Sequence, residues 1–380
     1  MAALLAGARV VTPGGVIEGG WVQTEAGVIT AMSPGPRPPG EAVDLAGAWL
    51  LPGYIDLHVH GGGGHDASAS PADLAAAVAF HRQHGTTRTL VSLVAAPLEA
   101  LAEQLAWIAD RVAIGPTAQG HVLGAHLEGP FLSAARCGAQ NPGHLLRPDT
   151  AAFARLAAAA RGTLRSITIA PELPGALDLI AAARAAGAVA AVGHTDATYA
   201  QARVGLDAGL RLATHLFNGM RPVHHREPGV VVAVLEGRIA FEIINDGIHV
   251  HPALIRLLAR EEPEQLLLVT DAISAAGTGD GEFLLGGLQA VARDGAARLA
   301  ATGTLAGSTL TMDAAVRRAV VECGLPIEVA SAAASANPAR VLGIGDRCGA
   351  IAVGHDADLV VLDDELRLLR VMAGGSWCDG

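Results

Sequence analysis

From residue 54 onward the chain alternates short, mostly apolar runs with longer stretches of helical spacing. The runs fall at 54–59, 89–94, 122–127, 166–170, 189–193, 212–215, 241–244 and 266–270. Runs of this length read as strands buried on both faces, as in a parallel sheet covered by helices. The stretch 70–84 predicts one such helix, with Pro71 suited to its first turn and Gly85 placed to end it. A second is predicted at 151–160. Eight apolar strands alternating with helices predict an α/β fold, a closed (β/α)8 TIM-like barrel. An open doubly wound sheet competes, because four glycines at 61–64 follow the first run. That turn comes after two histidines, however, and lacks the acidic residue expected about 20 positions on.

The two ends of the chain have another texture. Runs at 8–11, 21–24 and 28–32 are rich in Val, Ile and Thr and are separated by Gly and Pro, with a Pro/Gly loop at 33–40. Short strand patterns return at 357–362 and 368–372. They predict a small β-sandwich domain built from both termini, 1–51 and 345–380, around a catalytic barrel spanning 52–344. Residues 312–342 read as helices packed outside the barrel. No internal repeat is evident, and the alanine-rich tracts look like helix faces.

Composition narrows the chemistry. The 380 residues are 51% hydrophobic, enough to exclude a wholly disordered chain. A net charge of −11, from 37 acidic and 26 basic residues, argues against nucleic-acid partners and against a basic membrane surface. Every basic residue is arginine, since the sequence contains no lysine. This excludes a lysine Schiff base, a phosphate-loop lysine and a carbamylated-lysine metal bridge. Cys137, Cys323, Cys348 and Cys378 are scattered without a CxxC spacing and read as reduced thiols of a cytoplasmic protein. The apolar start reads as a first strand rather than a signal peptide, and no run approaches the roughly 20 residues of a membrane span.

Polar residues gather where the predicted strands end. His58 and His60 are two apart in a strand, so both face one side and could share a metal. Alone, such a pair is equally compatible with two hydrogen-bonded barrel histidines. Glu128 closes the third strand, and by itself could be a salt-bridge partner. His194 and His215 close the fifth and sixth, and Asp271 closes the eighth. Six such residues at one end of successive strands fall on the rim where barrel active sites lie. Imidazole and carboxylate donors suit Zn²⁺ or a similar divalent ion. A bound metal would supply hydroxide near neutral pH, and Asp271 could pass the proton to a leaving amine. The chemistry implied is metal-assisted hydrolysis of an amide or ester. No serine or cysteine sits in a nucleophile elbow. Arg226, in a loop beyond the sixth strand, suits a phosphate or lies solvated. His249 follows the seventh strand, and 304–308 is a small-residue loop whose backbone could approach a ligand.

The segments PGYIDLHVHG, HLEGPFL, GHTDA, THLFNGM, REPG, DGIHV, VTDAI and TLAGSTLTMD occur in this order over nearly the whole chain. In this the sequence resembles the N-acetylglucosamine-6-phosphate deacetylases of the amidohydrolase superfamily. The resemblance implies metal-dependent hydrolysis of N-acetyl-D-glucosamine 6-phosphate to D-glucosamine 6-phosphate and acetate. It implies that Glu128, His194 and His215 are the primary metal ligands and that Asp271 is the catalytic acid/base. Asn218, Gly219, Arg226 and His249 match substrate-binding positions, as do the backbone groups of Leu305, Ala306 and Gly307. Ala139 and Gln140 fall in a further substrate-binding segment, where some members carry histidine at the last position. Glutamine there can hydrogen-bond a sugar but carries no charge. Some members lack the HxH pair and use one metal; His58 and His60 allow a second, zinc or iron being the expected ions. The family also implies a homodimer in which Arg226 reaches the partner's site. Competing readings are a deacetylase for the galactosamine epimer and a non-catalytic sugar-phosphate sensor. A cyclic-amide hydrolase is disfavoured by the missing lysine.

Overall fold

Eight strands follow one another around a barrel in the computed structural model of the chain, which describes residues 2–33, 35–116 and 120–378. Met1 of the apolar start and Pro34 of the Pro/Gly loop lie outside the described residues. The barrel strands are Tyr54–Asp56, Thr86–Val94, His121–Glu128, Leu164–Ile169, Val189–Val192, Leu212–Ala213, Ala240–Ile244 and Leu266–Val269. They pair in sequence order, every pair parallel. Nearly all their residues are buried, which is why the runs look apolar throughout rather than alternating.

The seam between the last strand and the first closes at the carboxyl end. Val59 and Ala272 form a parallel bridge. The Asp271 N–H donates to the His58 carbonyl at 2.8 Å, and the His60 N–H to the Ala272 carbonyl at 2.9 Å. Beneath them the Thr270 hydroxyl donates to the buried Asp56 carboxyl at 2.6 Å.

The helix Pro71–Gln83 starts where its caps dictate: the Ser70 hydroxyl accepts from the Asp73 N–H, and Pro71 occupies the first turn. The chain leaves it through Gly85 at φ +87°, a backbone region that favours glycine. Helix Thr150–Ala159 covers the predicted 151–160. Residues 312–342 form three helices, Met312–Val321, Ile327–Ala334 and Ala336–Val341, and Met312 and Val316 join the main core.

Both chain ends contribute to one sheet. Strands Ala3–Thr12, Gly15–Glu25, Val28–Ser33, Val43–Asp44 and Trp49–Pro52 are joined by Leu359–Leu362, Leu368–Ala373 and Ser376–Trp377. Its far strand curls back toward the C-terminal segment: Val28 bridges Asp356, and the Ile29 N–H donates to the His355 carbonyl at 2.8 Å. Leu5, Val22, Ile29, Leu50, Leu359 and Met372 fill a core separate from that of the barrel.

One layer was not expected from the sequence. Gly281–Leu285, Leu288–Arg293 and Ala296–Leu299 form an antiparallel sheet after the eighth strand. It packs Leu285, Ala290 and Leu299 on Val94, Ile273 and Ala306 and so covers the carboxyl rim. Among the described residues no helix is long and apolar enough to cross a membrane.

Candidate metal centre

The strand ends deliver two groups of donors to one buried spot. His58, His60 and Asp271 form one; Glu128, His194 and His215 form the other. Glu128 stands between them. Its Oε1 lies 2.8 Å from His215 Nε2 and 3.0 Å from His194 Nε2. Its Oε2 lies 3.3 Å from His60 Nε2. Asp271 Oδ1 lies 3.2 Å from His60 Nε2 and 3.4 Å from His58 Nε2. His194, His215 and Asp271 have φ of +45°, +29° and +48°. Non-glycine residues in this region cost on the order of 1 kcal/mol or more each and persist where the surroundings over-determine them.

The hydrogen bonds on the far side of each ring decide what faces inward. His60 Nδ1 meets the Ser92 carbonyl at 3.2 Å, and His194 Nδ1 meets the Arg136 carbonyl at 2.9 Å. His58 Nδ1 meets Glu242 Oε2 at 3.1 Å. Carbonyls and carboxylates only accept, so each Nδ1 carries the proton and each Nε2 offers a lone pair to the site. The exception is His215, whose buried Nδ1 has no partner among the described residues. Lone pair then faces lone pair: the Nε2 atoms of His58 and His60 are 3.1 Å apart, as are those of His194 and His215. With two carboxylates added, this acceptor-rich cluster requires positive charge at its centre, and the donor set suits a divalent metal.

Protons can answer the same demand. Burial resists charging His60, but hydrogen bonds to Asp271 and Glu128 outweigh it and push its pKa up to about 9. His58 is likewise driven well above its ordinary value despite burial, by the charges of Asp271 and Glu128. Burial would raise both carboxyls. The His58 charge and the histidine hydrogen bonds reverse this, taking Asp271 down to about 2 and Glu128 well below the usual range.

Above these donors lies a cavity of about 130 Å³. His60, Glu128, His194, His215 and Asp271 line it, while His58 lies deeper, fully buried. Of the sequence-derived substrate positions, Ala139, Gln140, Asn218, Gly219, His249, Leu305 and Gly307 reach its wall. Gln140 also braces the centre: its Nε2 donates to Glu128 Oε2 at 2.8 Å and its Oε1 accepts from the Ala95 N–H at 2.7 Å. His249 Nδ1 is held by Asp246 Oδ2 at 2.6 Å. Gly219 stands at φ +59°, and a Cβ there would lie 2.8 Å from His194 Nδ1, so a side chain would push a donor out of place.

Two positions fall elsewhere. Ala306 does not line the cavity; it is buried in the apolar cluster under the covering sheet, its N–H donating to the Ala297 carbonyl. Arg226 is exposed and outside the cavity wall, its guanidinium beside His225 Nε2 at 2.8 Å.

A polar layer beneath the donors escaped the sequence reading. His126 bridges the Ser92 hydroxyl at 3.0 Å and the Thr168 hydroxyl at 2.8 Å, and burial holds it neutral by depressing its pKa. Glu242, in the seventh strand, meets the His58 ring. Asp246 had a signal, standing three residues before His249 in DGIHV. The covering sheet places Leu285 on the cavity wall.

Residues 49–378 match the profile of the amidohydrolase family. The bovine N-acetylglucosamine-6-phosphate deacetylase is 39% identical over 348 residues, covering 88% of this chain and 84% of its own. An N-acetylgalactosamine-6-phosphate deacetylase of Escherichia coli O157:H7 is 37% identical over 99% of both chains. Among solved structures, an aspartate-to-alanine mutant of the Mycobacterium smegmatis N-acetyl-D-glucosamine-6-phosphate deacetylase, in complex with N-acetyl-D-glucosamine-6-phosphate, is 44% identical. It superposes with a TM-score of 0.95 over the whole of both chains.

Proposed function

The chain belongs to the amidohydrolase family, and from that premise we infer that it hydrolyses N-acetyl-D-glucosamine 6-phosphate to D-glucosamine 6-phosphate and acetate. The observation that carries this reading is the pair of donor groups, with Glu128 between them, at the floor of the rim cavity.

Glu128, His194 and His215 would hold one divalent ion, zinc or iron, and His58, His60 and Asp271 a second. Such an ion supplies Lewis acidity toward the amide carbonyl and lowers the pKa of bound water. The protein's own groups do the rest. Asp271, ionised at neutral pH, takes the proton of the attacking water and delivers it to the departing amine. His249, with Nδ1 committed to Asp246, keeps Nε2 as its substrate-facing atom and orients the acetamide. Gln140 fixes Glu128 and shapes the wall against which the sugar rests. Asn218 and the backbone of Leu305 and Gly307 complete that wall.

With no lysine in the chain, the phosphate is left to arginine, histidine and backbone N–H groups. Arg226 lies outside its own cavity, and we assign it to the site of a partner subunit in a cytoplasmic homodimer. On this assignment Arg226→Ala raises KM for the phosphorylated sugar roughly 10-fold or more, by loss of a charge-assisted contact, and leaves hydrolysis of the unphosphorylated sugar unchanged. Equal effects on both substrates remove the assignment.

Acetate release from the two epimeric 6-phosphates, glucosamine and galactosamine, measured side by side, tests the substrate. Faster release from the galactosamine compound overturns the reading. Asp271→Asn should lower acetate release by about 10³-fold, the scale of a lost general acid/base. Near-normal turnover in that variant sinks its role.

A further inference from the structure

We propose that Glu242 is a positioning residue for the metal centre, holding one donor of each group through a single carboxylate oxygen. This rests on the reading of those groups as metal ligands.

Glu242 is the one charged residue of barrel strand Ala240–Ile244 and is 1% exposed. A carboxylate so deep in a barrel is costly unless its oxygens are answered. No arginine answers it: among the described residues its only ion-pair partner is His58, at 3.1 Å. The same Oε2 accepts the main-chain N–H of His215, also at 3.1 Å. The Glu242 backbone carbonyl takes the next N–H, that of Leu216, at 2.8 Å. The residue therefore grips a ring from one donor group and the backbone of the other.

Each grip has a definite effect. Facing an acceptor, His58 Nδ1 must carry the proton, which leaves Nε2 as the lone pair presented to the site. At His215 the backbone stands at φ +29°, a conformation that persists only where neighbours enforce it, and Glu242 supplies one of the enforcing bonds. His60 and His194 are held by main-chain carbonyls, which no substitution removes. His58 is oriented by a side chain, so its orientation can be abolished by one change. A carboxylate kept only for barrel packing would have no reason to touch both groups.

The test measures metal binding. Wild type, Glu242→Gln and Glu242→Ala are stripped of metal and titrated with Zn²⁺ against a competing chelator, with bound ions counted by elemental analysis. Wild type should take up two ions. Glu242→Gln, which keeps shape and acceptor but loses charge, should retain the wild-type far-UV spectrum and bind the weaker ion about 10-fold less tightly. Glu242→Ala should lose roughly 100-fold, the upper range for outer partners of metal ligands. In a His58→Ala background the Glu242→Gln effect should largely vanish. Unchanged affinities in both variants overturn the proposal, as does an equal loss with and without the His58 ring. A glutamine variant that fails to fold assigns the residue to stability alone and overturns it too. If wild type holds no ion above the chelator control, the metal reading itself falls and takes this inference with it, a result distinct from the others.

Discussion

The two ends of the barrel are both hollow, and the larger hollow is at the amino end. There a cavity of about 880 Å³ is lined by Arg184, Arg203, Arg211, Arg238 and Arg340 among smaller residues. The carboxyl end offers about 130 Å³. Five arginines in a protein of net charge −11 invite reading the larger cavity as an anion site. Their hydrogen bonds answer otherwise. Arg211 donates to the Leu206 carbonyl at 3.0 Å and Arg184 to the Ala208 carbonyl at 3.2 Å, both in the last turn of helix Tyr199–Ala208. Arg238 pairs with Glu262 at 3.2 Å. Positive groups at helix carboxyl ends offset the unpaired carbonyls and the negative end of the helix dipole. At the amino end, then, donors meet acceptors. At the carboxyl end acceptors converge on acceptors. That unmet demand, not volume, separates a site from a crevice.

Substitutions can break or sharpen this contrast. Glu128→Gln strikes the residue that stands between the two donor groups. It should cost metal affinity and acetate release more than the roughly 100-fold typical of outer partners of metal ligands. Elemental analysis beside an acetate assay checks this, and retained metal with full activity would erase the distinction between the ends.

A smaller effect concerns acid. His81 Nε2 donates to the Gly61 carbonyl, just past His60, and burial pushes the His81 pKa from 6.5 down to about 4. The unfolded chain therefore binds the extra proton first as pH falls. The stabilisation is complete above pH 6.5 and drains away toward pH 4, by up to about 1.4 kcal/mol per pH unit. Urea melts of wild type and His81→Gln across that window should show a steeper acid loss in wild type; parallel curves would remove His81 as the cause.

The smallest effect is expected at the other end. Arg211→Gln should cost less than about 1 kcal/mol of stability, as befits a helix-end contact, and leave acetate release unaltered. An activity loss there would show that the amino-end cavity matters to the reaction.

The barrel was legible because its strands are buried on both faces and so appear as apolar runs separated by helical stretches, some with clear caps. The donors were legible because they stand at the ends of those runs, where polarity interrupts a pattern. The sheet at 281–299 was not, because its strands are short, mix exposed and buried positions and lack a continuous apolar run. Glu242 was hidden by the opposite circumstance: a lone charge inside the apolar run AFEII reads as a tolerated exception until its partners, 184 and 27 residues away, are in place. Gln140 was legible as a position but not as a brace, since nothing in its local sequence points back to Glu128.

The seam between the first and last strands joins Asp56 to Thr270, 214 positions apart, and His58 and Asp271 stand on it. Pairings so remote in sequence are slower to form than local ones. A chain with its middle strands docked already has Glu128, His194 and His215 near one another, but only half a centre. The two donor groups therefore face each other only once the seam has closed. Ions held at the completed centre would favour the closed ring by mass action in proportion to their concentration.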